Sequence, residues 1–424
     1  MQPATAPFPH VAWSRNANLY QVNLRQFTPE GSFSAFQRQL PRLHAMGVAC
    51  IWLMPIHPIG TAHRKGSLGS PYAVSDHTAV NPEFGTLADL QHLVRAVHAL
   101  GMRLIIDWVP NHTAWDHRWA SEHPDWYRRD ADGRIRACEF HNGTQVELWS
   151  DVIALDYEQP ALRQAMIDAM LFWLREADVD GFRCDVAGLL PTSFWNQARR
   201  ALDGVKPVFM LAEWSAADLH EQAFDASYAW DLYDTMRDIA AGRDDARAIP
   251  RWMAQQRAIY PPDAYRMLFT SNHDKNAWIG SDSEIFGPSF KAFAVLAATL
   301  PGLPLIYGGQ EAGLDRRLAF FEKDPIVWKG YPLQDFYREL LACKRQHPAL
   351  WNGQYGGGIE FLPGCGATLL GYRRSQGADE VTVWLNLCDT AQAVQALGGR
   401  MLPAWGYEIV AAPRAAAPEP HPPP

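Results

Sequence analysis

Cysteine is scarce and scattered in this sequence of 424 residues. The six cysteines form no CxxC pair. Cys50, Cys184 and Cys388 lie inside apolar, strand-like runs, where cysteine usually serves as a small buried hydrophobic residue. This pattern predicts neither a disulfide framework nor a zinc site built from paired thiolates.

Long apolar runs and clusters of basic residues are also missing. The sequence contains no run of about 18 apolar residues, the length that would predict a membrane span. The net charge is −8 and no basic run offsets it, so a nucleic-acid partner is not favoured. The N-terminal residues MQPATAPFPHVAWSRN have neither the basic start nor the apolar segment of a secretory signal. We therefore expect no membrane or nucleic-acid partner and, by default, a cytoplasmic location.

Four short segments that end or follow apolar runs do carry acidic and basic side chains. They are DWVPNH at 107–112, GFRCD at 181–185, LAEW at 211–214 and TSNHD at 270–274. Three carboxylates, those of Asp185, Glu213 and Asp274, are thereby placed at three separate strand ends. One carboxylate in a cleft is common, but three at successive strand ends predict the mouth of a sugar-cleaving site.

Strand-like and helix-like runs alternate from about residue 18 to residue 348. The predicted strands are 19–27, 48–53, 103–107, 181–185, 208–213, 228–232, 267–270 and 304–307. Eight strands with intervening helices predict an α/β fold of the (β/α)8 TIM-barrel type. An open, doubly wound sheet is the alternative. The barrel is favoured because the length fits and no GxGxxG phosphate loop is present.

Two regions break this alternation. Residues 111–157 are too long for a connecting loop and predict a small inserted subdomain after the third strand. Residues 349–412 change to short β runs and predict a C-terminal all-β sandwich domain. The catalytic barrel is then 12–110 together with 158–348, and the Pro/Ala-rich tail 413–424 is expected to be disordered.

The chemistry expected of the carboxylates follows from their neighbours. Arg183 and Asp185 share one face of their strand, so the guanidinium is expected to hold the carboxylate ionised and oriented. Glu213 lies between Ala212 and Trp214, an apolar setting that favours a raised pKa and a general acid. Adjacent strand ends predict carboxyl groups about 5–5.5 Å apart, as in retaining glycosidases. Structural ion pairs at strand ends are the alternative.

Histidines and one tyrosine accompany the carboxylates. His112 and His273 follow asparagines at strand ends and are expected to donate hydrogen bonds to sugar hydroxyls. Tyr72 lies in the loop after the second strand, where barrels carry ligand contacts. A second set of histidines in one region matches no metal-ligand spacing, and we interpret it as part of a polar loop near the mouth; the set is His57, His63 and His77.

The four segments, in order, resemble the signature regions of the α-amylase family of glycoside hydrolases (family 13). The runs YQVNLRQFTPEGSF, GVACIWLMPI and PYAVSDHTAVNPEFGT are similar to the opening strands and loop of that family, so the resemblance covers roughly residues 18–350. It implies a (β/α)8 barrel, an inserted subdomain, a C-terminal β-sandwich, α-glucoside substrates and a retaining mechanism.

The resemblance also implies roles for individual residues. Asp185 matches the nucleophile, Glu213 the acid/base and Asp274 the residue that stabilises the transition state. The remaining matches surround the first sugar subsite, where the tyrosine stacks on the sugar; they are Tyr72, Asp107, His112, Arg183 and His273.

The sequence departs from the family pattern at two places. Many endo-acting members carry Lys-His where this chain has Gly188 and Leu189, so the leaving-group subsites are expected to differ. Ala154 replaces an acid that often helps to bind structural calcium. Asn111 matches another calcium position, but one amide is a weak basis for a cation that prefers 6–8 oxygen ligands. No cofactor is required for the chemistry.

The sequence thus predicts a retaining hydrolase of starch-like glucans or maltooligosaccharides, with an oligo- or polysaccharide as its partner. A transglycosylase or sugar isomerase of the same family is the first alternative, because these differ from hydrolases mainly in how water is excluded from the acceptor side. A non-catalytic sugar-binding relative is the second. The complete set of three carboxylates argues against it.

Overall fold

Eight parallel strands close into a barrel in the computed structural model, which describes residues 8–141, 143 and 145–411. Each strand pairs with its neighbours in the chain, and the first strand pairs with the eighth through Leu19 and Leu305. The predicted TIM barrel is therefore confirmed. The barrel strands are Leu19–Val22, Cys50–Leu53, Arg103–Trp108, Gly181–Cys184, Phe209–Ala212, Ala226–Tyr228, Tyr265–Leu268 and Leu303–Tyr307.

Helices cover the outside of the barrel, and the strands are accordingly buried on both faces. Thr86 begins one helix with a capping box, in which its side chain and that of Asp89 each accept a hydrogen bond from the other's backbone N–H. The principal helices are Phe33–Gln37, Leu40–Met46, Leu87–Ala99, Pro160–Glu176, Thr192–Asp203, Trp230–Ala240, Ala248–Ile259, Phe290–Thr299 and Gln334–Gln346.

The first and sixth strands differ from their predicted ranges. The first ends at Val22, and Leu24–Phe27 forms a single helical turn. The sixth is Ala226–Tyr228, so the prediction of 228–232 overlaps it at one residue. Most of that range belongs to the helix Trp230–Ala240, whose apolar residues recur at helical spacing. A short apolar run can satisfy either period, which explains the error.

The predicted insertion contains its own antiparallel sheet. The strands His112–Ala114 and Ala137–His141 both pair with the long strand Val146–Ala154. A short helix, Arg118–Glu122, precedes the second of these strands. These elements lie between the third and fourth barrel strands, so they overhang the carboxyl end of the barrel.

The C-terminal part is built from antiparallel strands, as the sequence predicts. A four-stranded sheet is accompanied by a two-stranded one. The strands of both sheets are Gly358–Phe361, Leu369–Gln376, Asp379–Asn386, Gln392–Val394, Arg400–Leu402 and Tyr407–Ala411. Residue 412 and the tail 413–424 lie outside the described residues. The domain boundaries proposed from the sequence stay a prediction.

The histidines interpreted as a polar loop near the mouth do lie in the segment after the second strand, but two of them are buried. His57 and His77 are buried, with relative exposures of 0% and 2%. His57 packs against Trp108 and Trp173, and His77 packs against Trp108. His63 lies apart from them, against Trp115.

The six cysteines are free thiols. None of the helices in the described part of the chain has both the length and the apolar character needed to cross a bilayer.

Candidate active site

The guanidinium of Arg183 lies at the centre of the polar groups. Its Nη1 donates to Asp107 Oδ1 at 2.8 Å and to Asp185 Oδ1 at 3.0 Å. Its Nη2 lies 2.6 Å from Glu213 Oε1, a charge contact whose angle departs from that of a hydrogen bond. Tyr228 OH accepts from Nε at 3.1 Å. One buried cation therefore holds three carboxylates.

The parallel ladder explains why these residues meet. Asp107 is directly opposite Arg183 on the neighbouring strand. The backbone N–H of Asp185 donates to Trp108 O at 2.8 Å, and that of Glu213 donates to Cys184 O at 3.0 Å. Consecutive strands thus end at the same level, and their terminal side chains converge on one mouth.

Burial raises the pKa of both Asp185 and Glu213. The pKa of Asp185 rises to about 7, although the Arg183 charge and a hydrogen bond with Glu213 oppose the rise. Burial raises the pKa of Glu213 well above its usual range, although the Arg183 charge opposes the rise. The nearby Asp185 charge raises it further. The raised pKa of Glu213 follows the sequence prediction. Arg183 does contact Asp185 as expected, but burial outweighs its effect on the pKa.

A strained turn follows Asp185 and orients Glu213. Val186 has φ +38° and ψ +45°, the left-handed region that β-branched residues rarely adopt. In this conformation its backbone N–H donates to Glu213 Oε2 at 2.8 Å. Strain of this kind persists only where the surroundings fix it, and it clusters at functional sites.

Tyr72 and Asp107 form the floor of the mouth. Tyr72 OH donates to Asp107 Oδ2 at 3.1 Å, and the same oxygen accepts from Trp52 Nε1 at 3.1 Å. Burial raises the pKa of Asp107 to about 7, against the lowering effect of Arg183. These bonds fix the tyrosine ring at the bottom of the cleft.

The seventh strand contributes His273 and Asp274. His273 Nε2 lies 2.8 Å from Tyr72 OH and 3.3 Å from Asp274 Oδ2. Its Nδ1 lies 2.7 Å from Gln21 Nε2, a side chain of the first strand. Burial lowers the pKa of His273 to about 4, so the ring is neutral near pH 7. The carboxylate of Asp274 is about one third exposed and faces the cleft.

His112 lies on the side of the inserted sheet. It is 3% exposed, and its ring meets that of Trp149 at 5.5 Å between centroids. Burial lowers its pKa to about 4. The ring is therefore neutral near pH 7, and its Nδ1 lies 3.2 Å from Asn111 Nδ2.

The cleft above these groups has a volume of about 730 Å³. Six of the eight residues predicted from the sequence line it, and Asp107 and Arg183 lie directly beneath. An apolar wall surrounds the carboxylates, as is usual in ligand sites. Its aromatic members are Phe140, Trp149, Trp214, Trp230, Trp278, Phe320 and Phe321.

Four groups that contact the predicted site residues were not predicted from the sequence. Trp52 belongs to the second strand and Tyr228 to the short sixth strand, and neither was proposed as a site residue. Gln21 is a polar residue within an apolar strand and is fully buried, and a polar side chain at such a position can indicate a functional site. The N–H of Val186 could not be found from residue types, because its role depends on the backbone conformation alone.

Asn111, which matches a calcium position of the family, contacts Cys138. Its Nδ2 donates to Cys138 Sγ at 3.2 Å. Within the described residues, no group of three or more His, Cys, Asp or Glu side chains could hold a metal ion.

Comparison with protein families gives a match to the model described as alpha amylase, catalytic domain. The match covers residues 15–134 and 148–331. It includes all four signature segments and all eight residues of the predicted site. The two matched stretches fall on either side of a gap within the inserted sheet.

Curated relatives are similar over most of this chain. The alpha-amylase MalA of Haloarcula japonica is 28% identical over 362 residues, which are 82% of this chain and 51% of that protein. The alpha-1,4-glucan:maltose-1-phosphate maltosyltransferase 1 of Streptomyces coelicolor is 28% identical over 396 residues, 85% of this chain and 56% of that protein. This chain thus spans about half the length of these relatives.

A solved structure matches nearly end to end. The alpha-amylase of Lactobacillus plantarum superposes with a TM-score of 0.83 at 29% identity. The match covers 94% of this chain and 99% of that one. The barrel, the inserted sheet and the C-terminal sheets are therefore shared.

Proposed function

Because this chain belongs to the alpha-amylase family, we propose that it is a retaining glycosidase of starch-like glucans or maltooligosaccharides. One observation supports this best: Asp185 and Glu213 stand at adjacent strand ends on one guanidinium, with the pKa of Glu213 raised well above its usual value. Two close carboxyl groups, one able to carry a proton and one able to attack, are what retention requires.

The first half of the reaction forms a glycosyl-enzyme. Glu213 donates its proton to the glycosidic oxygen while an oxygen of Asp185 attacks the anomeric carbon. The C–O bond to the leaving sugar breaks, and an ester to Asp185 forms. Arg183 remains charged throughout and neutralises the carboxylates on either side of the bond.

The second half uses the same two residues. Glu213, now ionised, takes a proton from water as the water oxygen attacks the anomeric carbon, and Asp185 leaves as a carboxylate. Asp274 faces the ring and stabilises the positive charge that develops on it. Tyr72 stacks on that sugar, and its hydroxyl groups are positioned by hydrogen bonds with His112 and His273 and by bonds that they donate to Asp107.

Asp185→Asn tests the proposal. We expect turnover of maltooligosaccharides to fall by roughly 10³-fold or more, because the amide cannot form the ester. The circular dichroism spectrum should stay that of the parent. Asp132→Asn, a change at an exposed carboxylate, is the control and should keep full activity. An Asp185→Asn variant with an unchanged rate would remove the proposal.

Transfer to a sugar acceptor is a second candidate function. The similarity to a maltosyltransferase over 85% of the chain favours it alongside hydrolysis. Products from maltotriose distinguish the two. Oligosaccharides longer than the substrate indicate transfer, whereas glucose and maltose alone indicate hydrolysis.

A further inference from the structure

A polar pocket of about 650 Å³ lies outside the catalytic cleft, where the insertion meets the chain that follows the fourth strand. One wall is formed by three arginines of the insertion, Arg128, Arg129 and Arg136. Residues 156–158 and 189–191 complete the lining. None of these residues lines the catalytic cleft, so the two are separate sites.

Two of the three arginines lie directly opposite each other on antiparallel segments. Arg129 bridges Ile135 in an antiparallel register, which places Arg128 opposite Arg136. The backbone N–H of Arg136 accordingly donates to Arg128 O at 3.1 Å. Ala154 hydrogen-bonds to the backbones of both arginines and adds no charge. Like charges in directly opposite positions destabilise a strand pair, and a negative group between the two side chains removes that cost.

Carboxylates near these arginines neutralise the charge only in part. Glu139 Oε2 lies 3.5 Å from Arg136 Nη1, but both side chains are more than a third exposed, so water screens the pair. The Nε of Arg136 is enclosed and has no acceptor among the described residues. In the same part of the chain, no carboxylate lies within 4.0 Å of the Arg128 guanidinium.

The acidic residues that line the pocket leave a positive excess. Three guanidinium groups are set against the carboxylates of Asp156 and Glu158. Asp156 Oδ1 accepts a hydrogen bond from the backbone N–H of Glu158 at 3.2 Å, so part of its charge is used within its own turn. The side chain of Glu158 is exposed. The excess arises in a chain whose net charge is −8, and it favours an anion over a neutral sugar.

We propose that this pocket binds a phosphate group, carried by a sugar phosphate or free in solution, between Arg128 and Arg136. Guanidinium groups bind phosphate through paired N–H donors of matching geometry, and such charge-assisted bonds are roughly twice as strong as neutral ones. The enclosed Nε of Arg136 is a donor that has already lost its water. The volume lies within the range of small-molecule sites, so a sugar ring can accompany the phosphate.

A phosphate in this pocket also connects two parts of the barrel mouth. The wall at 189–191 continues the turn in which the N–H of Val186 donates to Glu213, and Leu189 N donates to Val186 O at 2.9 Å. The arginine wall belongs to the insertion, which carries His112. A ligand that contacts both walls fixes their spacing, and binding to the folded protein raises its thermal midpoint.

Isothermal titration calorimetry of the full chain with inorganic phosphate, at constant ionic strength, tests the site. We expect one saturable site with a Kd of roughly 1 mM, and a Kd about tenfold higher in Arg128→Gln, which lacks one of the two guanidinium groups. Arg136→Gln is an independent second variant with the same expectation. The matched control is Arg134→Gln, because Arg134 is an exposed residue of the same insertion, lies beside Asp132 and does not line the pocket. Its Kd should equal that of the parent.

A variant of opposite sign sharpens the test. Glu158→Gln removes a carboxylate from the pocket, so its Kd for phosphate should fall by about threefold. Asp132→Asn removes an exposed carboxylate elsewhere in the insertion and should leave the Kd unchanged. Glucose 1-phosphate then identifies the source of the phosphate group. A Kd well below that of inorganic phosphate, raised by Arg128→Gln, indicates a sugar phosphate, whereas equal values indicate free phosphate.

The absence of saturable binding up to about 20 mM phosphate would contradict the proposal. So would equal increases of Kd in Arg128→Gln, Arg136→Gln and Arg134→Gln, because they indicate a general effect of charge. A Kd that neither pocket arginine changes places the phosphate elsewhere and also overturns it. The site does not depend on the proposed catalysis, and Asp185→Asn should bind phosphate with the Kd of the parent even if its turnover is lost.

Discussion

At the scale of single residues, the site is a balance of charge around Arg183. Its guanidinium contacts three carboxylates, so the cluster carries more negative than positive charge when all of them are ionised. Burial makes that state costly, and the pKa values of Asp185, Asp107 and Glu213 all rise. The three carboxyl groups therefore tend to keep one proton among them, and a general acid needs such a proton.

This balance predicts the pH dependence of the reaction. In the proposed mechanism the active form has Asp185 ionised and Glu213 protonated. Activity should therefore decline as pH falls through the Asp185 pKa of about 7, when the nucleophile is protonated. It should decline again at higher pH, when Glu213 loses its proton. Ordinary carboxyl groups, with pKa values of about 4, would place the acid limb far lower.

The measurement is kcat/KM for maltotriose between pH 4 and pH 10, with circular dichroism at each pH to show that the protein remains folded. α-Maltosyl fluoride provides a comparison, because its leaving group depends less on the Glu213 proton and its alkaline limb should be shallower. An acid limb with its midpoint near pH 4 for both substrates would contradict the burial argument.

At the scale of elements, the turn after the fourth strand brings the backbone N–H of Val186 to the carboxyl group of Glu213. Val186 adopts a left-handed conformation that costs an L-residue about 1–2 kcal/mol. Glycine adopts it freely but loses about 0.5–1 kcal/mol through the entropy of the unfolded chain. We therefore expect Val186→Gly to have a free energy of unfolding up to about 1 kcal/mol higher than Val186→Ala.

Denaturant unfolding of the two variants checks this order. Both lack the valine side chain, so their difference isolates the backbone. The control is the same pair at Arg175, an exposed residue of the helix Pro160–Glu176, where alanine should be more stable than glycine by about 1 kcal/mol. If alanine also proves the more stable residue at 186, the left-handed conformation carries no strain.

Elements differ in how far the sequence determines them. Long helices with regular hydrophobic spacing could be predicted from the sequence, and so could strands that end in charged residues. In both cases the hydrophobic pattern and the polar residues at the ends indicate the same element. The sixth strand was misplaced because three residues are too few to display a period. Seven of the eight proposed site residues belong to the segments at strand ends, and Tyr72 comes from the loop after the second strand; their roles stay predictions. The N–H of Val186 could not be predicted, because its contact with Glu213 depends on the backbone conformation of the turn.

At the scale of the whole molecule, the C-terminal sheets are joined to the barrel through buried polar groups. Arg374 of the strand Leu369–Gln376 is fully buried and donates to the carbonyls of Thr299, Gly357 and Trp351. Thr299 ends a barrel helix. Burial lowers the pKa of Arg374 to about 10, yet the guanidinium stays charged near pH 7. One hydrophobic cluster also runs through both parts.

A shared core and a buried cation between the two parts predict a single unfolding transition. Arg374→Met would leave three buried carbonyls without their donor, and we expect the free energy of unfolding to fall by about 3 kcal/mol or more. Arg373→Met, at the neighbouring and partly exposed arginine, should change it by less than about 0.5 kcal/mol. Differential scanning calorimetry should show one peak that moves as a whole in Arg374→Met. Two separate peaks, of which only the smaller shifts, would show instead that the sheets and the barrel unfold independently.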